Sequence, residues 1–165
     1  MEIKKIFTIL LLGVLSLFGC VHNKSLHEKI NTLIGIDYSE FKDMSIVNRK
    51  GVYFVTYHGI TYKIKRGAKK ISSIEVAYSK DKKVLLAEKD IDNIEKVLKY
   101  FDKIDVLSLS VDKNGNVLLT LPWHDRCTYY LLKLSSKNTL EDLKKQYYHN
   151  YKENWYMYKE CSERG

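Results

Sequence analysis

Alternation between apolar and polar residues, broken by short turn signals, dominates the middle of this chain. Within 60–65, three apolar side chains alternate with three polar ones. A period of two is typical of an antiparallel strand with one buried face. His58-Gly59 and Asp112-Lys113-Asn114-Gly115 are the turns that such strands require. The pattern therefore predicts strands joined by tight turns.

Seven strands follow from this alternation and from β-branched and aromatic content. They are predicted at 52–57, 60–65, 74–78, 84–87, 105–111, 117–121 and 127–134. The stretch 37–50 carries no clear period, and we predict a loop there.

Helical spacing appears in three places. Ser25 can cap a short helix over 26–34, and Asp90 or Asp92 can cap a second helix whose apolar stripe includes Ile91, Ile94, Leu98 and Phe101. Thr139-Leu140-Glu141-Asp142 matches a capping box, and the helix that it opens is predicted to direct Leu140, Leu143, Tyr147 and Tyr151 into the core. The order of elements predicts an α+β fold, an antiparallel meander sheet of about six to seven strands with two main helices packed on one face.

The first 19 residues have the order of an export signal. Lys4 and Lys5 precede a weakly polar or apolar run over 6–18, which is shorter than the roughly 20 helical residues that cross a bilayer. The run ends in Leu17-Phe18-Gly19-Cys20, which resembles the lipobox of bacterial lipoproteins, with Phe18 larger than that family's usual residue. An ordinary signal peptide with a coincidental cysteine is the alternative.

The resemblance implies three segments. Residues 1–19 are the signal peptide, 20–25 are a lipidated Cys20 and a short tether, and 26–165 form a single α+β domain. It implies a protein of the cell envelope, held by its lipid to a bacterial membrane. In a Gram-negative organism this is the outer membrane, because no Asp follows Cys20.

Two further cysteines, Cys127 and Cys161, remain if Cys20 carries lipid. Disulfides persist outside the cytoplasm, so we predict a bridge between them. Two buried free thiols or a catalytic thiol are the competing interpretations.

Positive charge is concentrated in one region of this chain, whose formal net charge is +8. Residues 63–83 include eight basic residues and only two acidic ones. The basic residues are Lys63, Lys65, Arg66, Lys69, Lys70, Lys80, Lys82 and Lys83. In an exported protein this favours anionic lipid, an acidic envelope polymer or an acidic protein over nucleic acid. The alternative is that the lysines only keep an exposed strand edge soluble.

Aromatic residues crowd the C-terminal region. Trp155, Tyr156 and Tyr158 can serve either as binding anchors or as core packing.

A loop pair, His124-Asp125, is the strongest candidate for acid–base chemistry. His27-Glu28 lacks the second histidine of a zinc-protease motif, because residue 31 is Asn. A metal site from His149 and Cys161 is a further, weaker interpretation. We expect no cofactor and no metal.

These features together predict an envelope-anchored, non-catalytic binding or inhibitor-type module for an acidic partner. An envelope enzyme acting through His124, or a purely structural envelope protein, are the alternatives.

Overall fold

The computed structural model describes residues 25–67, 70–78, 86–136, 138–140 and 142–162. The chain divides into two units, Met1–Leu33 and Ile34–Gly165. No helix within the described residues is both long and apolar enough to span a membrane.

Helix α1 (Leu26–Ile34) begins with the capping arrangement that its sequence predicts. The Ser25 hydroxyl accepts a hydrogen bond from the Glu28 N–H at 3.2 Å, and the Glu28 carboxylate accepts one from the Ser25 N–H at 3.0 Å. This reciprocal pair satisfies two amide groups that the first helical turn leaves without partners.

Nine strands of the described chain form one sheet in the order β4-β3-β2-β1-β5-β6-β7-β9-β8. Their bounds are β1 Met44–Arg49, β2 Val52–Tyr57, β3 Ile60–Arg66, β4 Ile71–Val76, β5 Ser108–Val111, β6 Val117–Thr120, β7 Cys127–Lys133, β8 His149–Lys152 and β9 Trp155–Cys161. Like the sheet, helices α2 (Glu88–Ile104) and α3 (Asp142–Lys145) and a 3-10 turn, Ser39–Phe41, belong to the unit Ile34–Gly165. The fold is α+β with an antiparallel sheet, and the predicted six to seven strands were too few.

The meander β1 to β4 and the meander β5 to β7 meet at the centre of the sheet, and β9 and then β8 extend the sheet beyond β7. Strands β1 to β4 follow one another outward, and β5 returns to pair antiparallel with the free side of β1. In the sequence, helix α2 lies between β4 and β5. The two-residue turn between β2 and β3 is confirmed, because His58 and Gly59 both have positive φ, at 50° and 77°.

One face of the sheet, here called the inner face, carries the core. The registers place Val55, Ile46, Leu109, Leu119 and Leu131 side by side across five strands, and all are fully or almost fully buried. Helix α2 buries the stripe Ile94, Val97, Leu98, Phe101 and Ile104. The Phe101 ring meets the Tyr53 ring of β2 edge-on, with centroids 6.3 Å apart.

Strand β1 is the first correction to the predicted elements, since 37–50 was predicted as a loop. Met44 and Ile46 are the only side chains of this strand that are buried, so its alternation is too short to stand out. Its partners β2 and β5 hold it in place, and β5 lies about sixty residues further along the chain. Non-local pairing overrode the weak local signal.

The C-terminal helix is the second correction. Helix α3 has only four residues, and β8 and β9 replace its predicted continuation. Tyr147 is 55% exposed and Tyr151 lies in β8, so neither occupies a helical core position. Glu141 and the Leu143 side chain lie outside the described residues. All seven residues of β9 pair with β7, and this ladder outweighs the helical spacing of the tyrosines.

The start of α2 differs from the prediction in its cap. Ala87 is the N-cap residue. Asp90 occupies the third helical position, and its carboxylate accepts a 3.2 Å hydrogen bond from the Ala87 N–H. Of the predicted strand 84–87, residues 84 and 85 lie outside the described residues, and 86 and 87 are not in a strand.

Candidate functional site

The candidate site lies on the opposite face of the sheet, here called the outer face. Phe54 lies between Val47 and Lys63 on neighbouring strands, and Lys63 lies directly opposite Glu75. In the next row Val52 separates Arg49 from Lys65. We call Arg49, Phe54, Lys63, Lys65 and Tyr78 the basic patch.

Aromatic rings form the centre of the basic patch. The Tyr78 ring stacks on the Phe54 ring, with centroids 6.5 Å apart and planes 20° apart. The Arg49 guanidinium carbon lies 5.8 Å from the Phe54 centroid, within cation–π range. Tyr78 is 90% exposed, and its φ of 63° turns the chain sharply after β4.

The structure separates the basic residues that are adjacent in sequence. Lys63 and Lys65 project from the outer face, whereas Arg66 belongs to the inner-face set with Tyr62 and Ile64. Lys69, Lys80, Lys82 and Lys83 lie outside the described residues. Among the described residues of this region, the cationic side chains therefore do not form a single surface.

Arg66 takes part in packing rather than in the exposed patch. Its guanidinium forms an ion pair with Asp102 of α2, and its side chain is 15% exposed. Asp102 also accepts a 2.7 Å hydrogen bond from the Tyr53 hydroxyl. Burial, and then the bond to Asp102, raises the pKa of Tyr53, which keeps its phenol proton available for donation. These contacts join α2 to β2 and β3.

We expect Asp102→Asn to lower the free energy of unfolding by about 1 to 3 kcal/mol. The substitution leaves the largely buried Arg66 charge without its carboxylate and weakens the bond from Tyr53. Urea denaturation followed by circular dichroism measures the effect. Asp92→Asn, an exposed position on the same helix, is the control. Equal stability of the two variants would contradict the structural role.

Lys70 lies on the α2 side of the sheet. It lies close enough to Glu95 to help lower the pKa of that carboxyl, after the larger effect of the hydrogen bond from Lys99 at 2.9 Å. Glu95 also accepts the Ile71 N–H of β4. Lys70 thus neighbours a carboxylate on the side of the sheet opposite the basic patch.

The three C-terminal aromatic candidates divide between core and outer face. Trp155 is 3% exposed, and its ring lies 6.0 Å from the Tyr38 ring, so it packs in the core. Tyr156 and Tyr158 are half-buried on the outer face. Tyr158 stacks with Tyr130 and contacts the rings of Tyr147 and Tyr148. Packing against its neighbours accounts for the ring of Tyr158.

His124 and Asp125 form a close but exposed pair. Their side chains approach to 3.2 Å, and they are 45% and 83% exposed. Paired backbone hydrogen bonds between His124 and Cys127 close a two-residue turn around them. General acid–base catalysis needs a site that holds substrate against the acid and the base. An exposed turn does not enclose a substrate.

Asp112 also has a structural role in its turn. Its carboxylate accepts hydrogen bonds from the Asn114 N–H at 2.8 Å and the Asn116 N–H at 2.9 Å. Burial opposes ionisation, but these bonds prevail and lower the pKa of Asp112. The predicted 112–115 turn is present, and its aspartate stays ionised.

Cys127 and Cys161 form a disulfide between directly opposed positions of β7 and β9, with Cα atoms 4.0 Å apart. This excludes the free-thiol and catalytic-thiol interpretations and removes Cys161 as a metal ligand. Across the part of the chain that the structure describes, no cluster of three or more His, Cys, Asp or Glu side chains is arranged to hold a metal.

Comparison with protein-family models, with curated proteins and with solved structures finds no match to this chain.

Arg49, Phe54 and Tyr78 are the patch residues that the sequence analysis did not single out. Arg49 lies in the stretch predicted as a loop, and Tyr78 was assigned to a strand. The strand predicted at 52–57 contained a signal for Phe54, because a period of two places this large apolar residue on the side opposite Tyr53 and Val55.

Proposed function

We propose that this chain is a lipid-anchored, non-catalytic binding protein of the bacterial cell envelope, and that its basic patch engages an acidic partner. Cys20 is its lipidation site, and the outer membrane is its location in a Gram-negative organism. An acidic protein or an anionic envelope polymer matches the charge of the patch.

One observation carries the proposal: three cationic side chains surround a stacked aromatic pair on one sheet face. Arg49 and Lys65 are exposed and Lys63 is half-buried, and Glu75 lies opposite Lys63 in the register. Positive charge at short range attracts an acidic partner, and an exposed aromatic ring adds contact area that a charge alone does not.

The position of β3 argues against a merely protective role for its lysines. Lysine at a sheet edge prevents strands of different molecules from pairing. Strand β3 is paired on both sides, with β2 and with β4. Lys63 and Lys65 therefore project from a sheet face and do not guard an unpaired backbone edge.

We expect the triple variant Arg49→Gln, Lys63→Gln and Lys65→Gln to bind the acidic partner about threefold to a hundredfold more weakly, since exposed charges each contribute roughly 0.2 to 1 kcal/mol. Glutamine is preferred to glutamate because a carboxylate in place of Lys63 would face Glu75 across the ladder, and opposed like charges destabilise a sheet. Capture from the protein's own cells at moderate salt, with identification of the bound material, measures the loss.

The matched control for this experiment removes the same charge elsewhere. Lys89, Lys103 and Lys113 are exposed and lie outside the patch, so their triple change to Gln should retain capture. Equal loss in both triple variants would show that only net charge matters. Full capture by the patch variant would show that binding occurs on another surface.

A further inference from the structure

Tyr78 is presented outward in a way that core packing does not require. Its ring lies on Phe54, yet nine-tenths of the residue remains exposed. A phenol combines an apolar ring with a polar tip, and for this reason tyrosine is enriched where protein meets the headgroup region of a bilayer. The ring therefore suits an interface that is partly apolar and partly wet.

The cations of the basic patch lie near Phe54, the residue on whose ring Tyr78 stacks, and they share its sheet face. Lys63 is the cross-strand neighbour of Phe54, Lys65 lies one row away, and the Arg49 guanidinium lies over the Phe54 ring. Long basic side chains can lay their aliphatic stems along an apolar surface and extend their charges to phosphate groups. A sheet face offers these groups as a broad array, which matches a lipid surface better than a narrow ligand.

The proposed anchor would hold the domain close to such a surface. Between Cys20 and Leu26 the chain can span at most about 22 Å when fully extended. Attraction to anionic lipid acts within a Debye length, about 8 Å at physiological salt. A short tether thus keeps the start of the domain near the headgroups and raises their effective concentration around it.

We propose that the acidic partner of the basic patch is the anionic headgroup layer of the membrane that carries the chain's own lipid anchor. This inference rests on the proposed function and names the partner of the same site. Each basic residue near an anionic surface strengthens binding about fivefold, so the three cations together contribute about a hundredfold. The patch then orients the anchored domain with its outer face toward the lipid.

The test is chemical footprinting of the purified, lipidated full-length protein. It is placed in vesicles of phosphatidylcholine alone, or of phosphatidylcholine with about one-third phosphatidylglycerol. Amine acylation and tyrosine iodination are then read residue by residue by mass spectrometry. We expect labelling of Lys65 and Tyr78 to fall about threefold or more in the anionic vesicles. Lys103 and Tyr100 on α2, which packs against the inner face, should keep their labelling and serve as internal controls.

The triple variant Arg49→Gln, Lys63→Gln and Lys65→Gln completes the test. Tyr78 in this variant should be labelled equally in both kinds of vesicle. The control variant Lys89→Gln, Lys103→Gln and Lys113→Gln should leave the protection of Tyr78 intact. Unchanged labelling of Lys65 and Tyr78 in the wild-type protein overturns the inference. The proposed function survives that result if the same patch variant still loses capture of an acidic protein or polymer. Both fail if capture is also retained.

Discussion

Removing the disulfide, by Cys127→Ala with Cys161→Ala, is expected to lower the free energy of unfolding by about 3 to 4 kcal/mol. The bridge joins positions 34 residues apart and so restricts a long loop in the unfolded chain. It also joins the end of β9 to the start of β7, where the backbone of Ser162 donates to Arg126 at 3.1 Å. For a domain of this size the melting temperature should fall by roughly 10 °C.

Reduction supplies the control for the disulfide prediction. Dithiothreitol should lower the melting temperature of the wild-type protein by a similar amount and leave the double variant unchanged. Calorimetric scans of both proteins with and without reductant measure this directly. An unaltered wild-type transition under full reduction, verified by thiol titration, would contradict a stabilising bridge.

Substituting Cys20 by Ala is expected to release the protein from membranes almost completely. In the proposed lipoprotein the sulfur of Cys20 is the atom that receives lipid. Stable anchoring of a protein to a membrane needs more than one acyl chain. Without the thiol, charge attraction through the basic patch is reversible and weakens with salt. Fractionation of cells at high salt, with detection of the lipid by mass spectrometry, measures the change.

Cys161→Ala is the matched control for the anchor, because it removes a cysteine without touching residues 1–20. That variant should remain lipidated and in the membrane fraction, although its domain is less stable. If Cys20→Ala is still lipidated, or remains in the membrane fraction at high salt, then Cys20 is not the anchor.

The basic patch shows how far a charge pattern in a sequence can locate a surface. Alternation in 60–65 placed Lys63 and Lys65 on one face and Ile64 on the other, and the registers agree. Arg66 continues the buried set, where Asp102 of α2 neutralises it. A charge run crosses both faces of a strand, so only the partners on each face decide which of its members remain exposed.

Local chemistry determined many elements of this protein before any tertiary contact was considered. The Ser25 cap, the His58-Gly59 and 112–115 turns, the alternation of β2 and β3 and the helical stripe of α2 all depend on residues close in sequence. The pairing of Cys127 with Cys161 followed from cysteine number and the expected compartment. Such features depend on residues a few positions apart in the sequence, or on the number of cysteines in the chain.

Only the tertiary structure decided the elements whose local signals were weak or misleading. Strand β1 exists because β2 and β5 satisfy its backbone on both sides. Strand β9 exists because β7 pairs with its whole length. This pairing places Trp155 in the core, and the tyrosine-rich segment forms strands instead of the predicted helix. Likewise, Arg49 and Tyr78 join Phe54 only once the sheet has assembled. Hydrogen bonds and burial between segments distant in sequence supply free energy that no local pattern records.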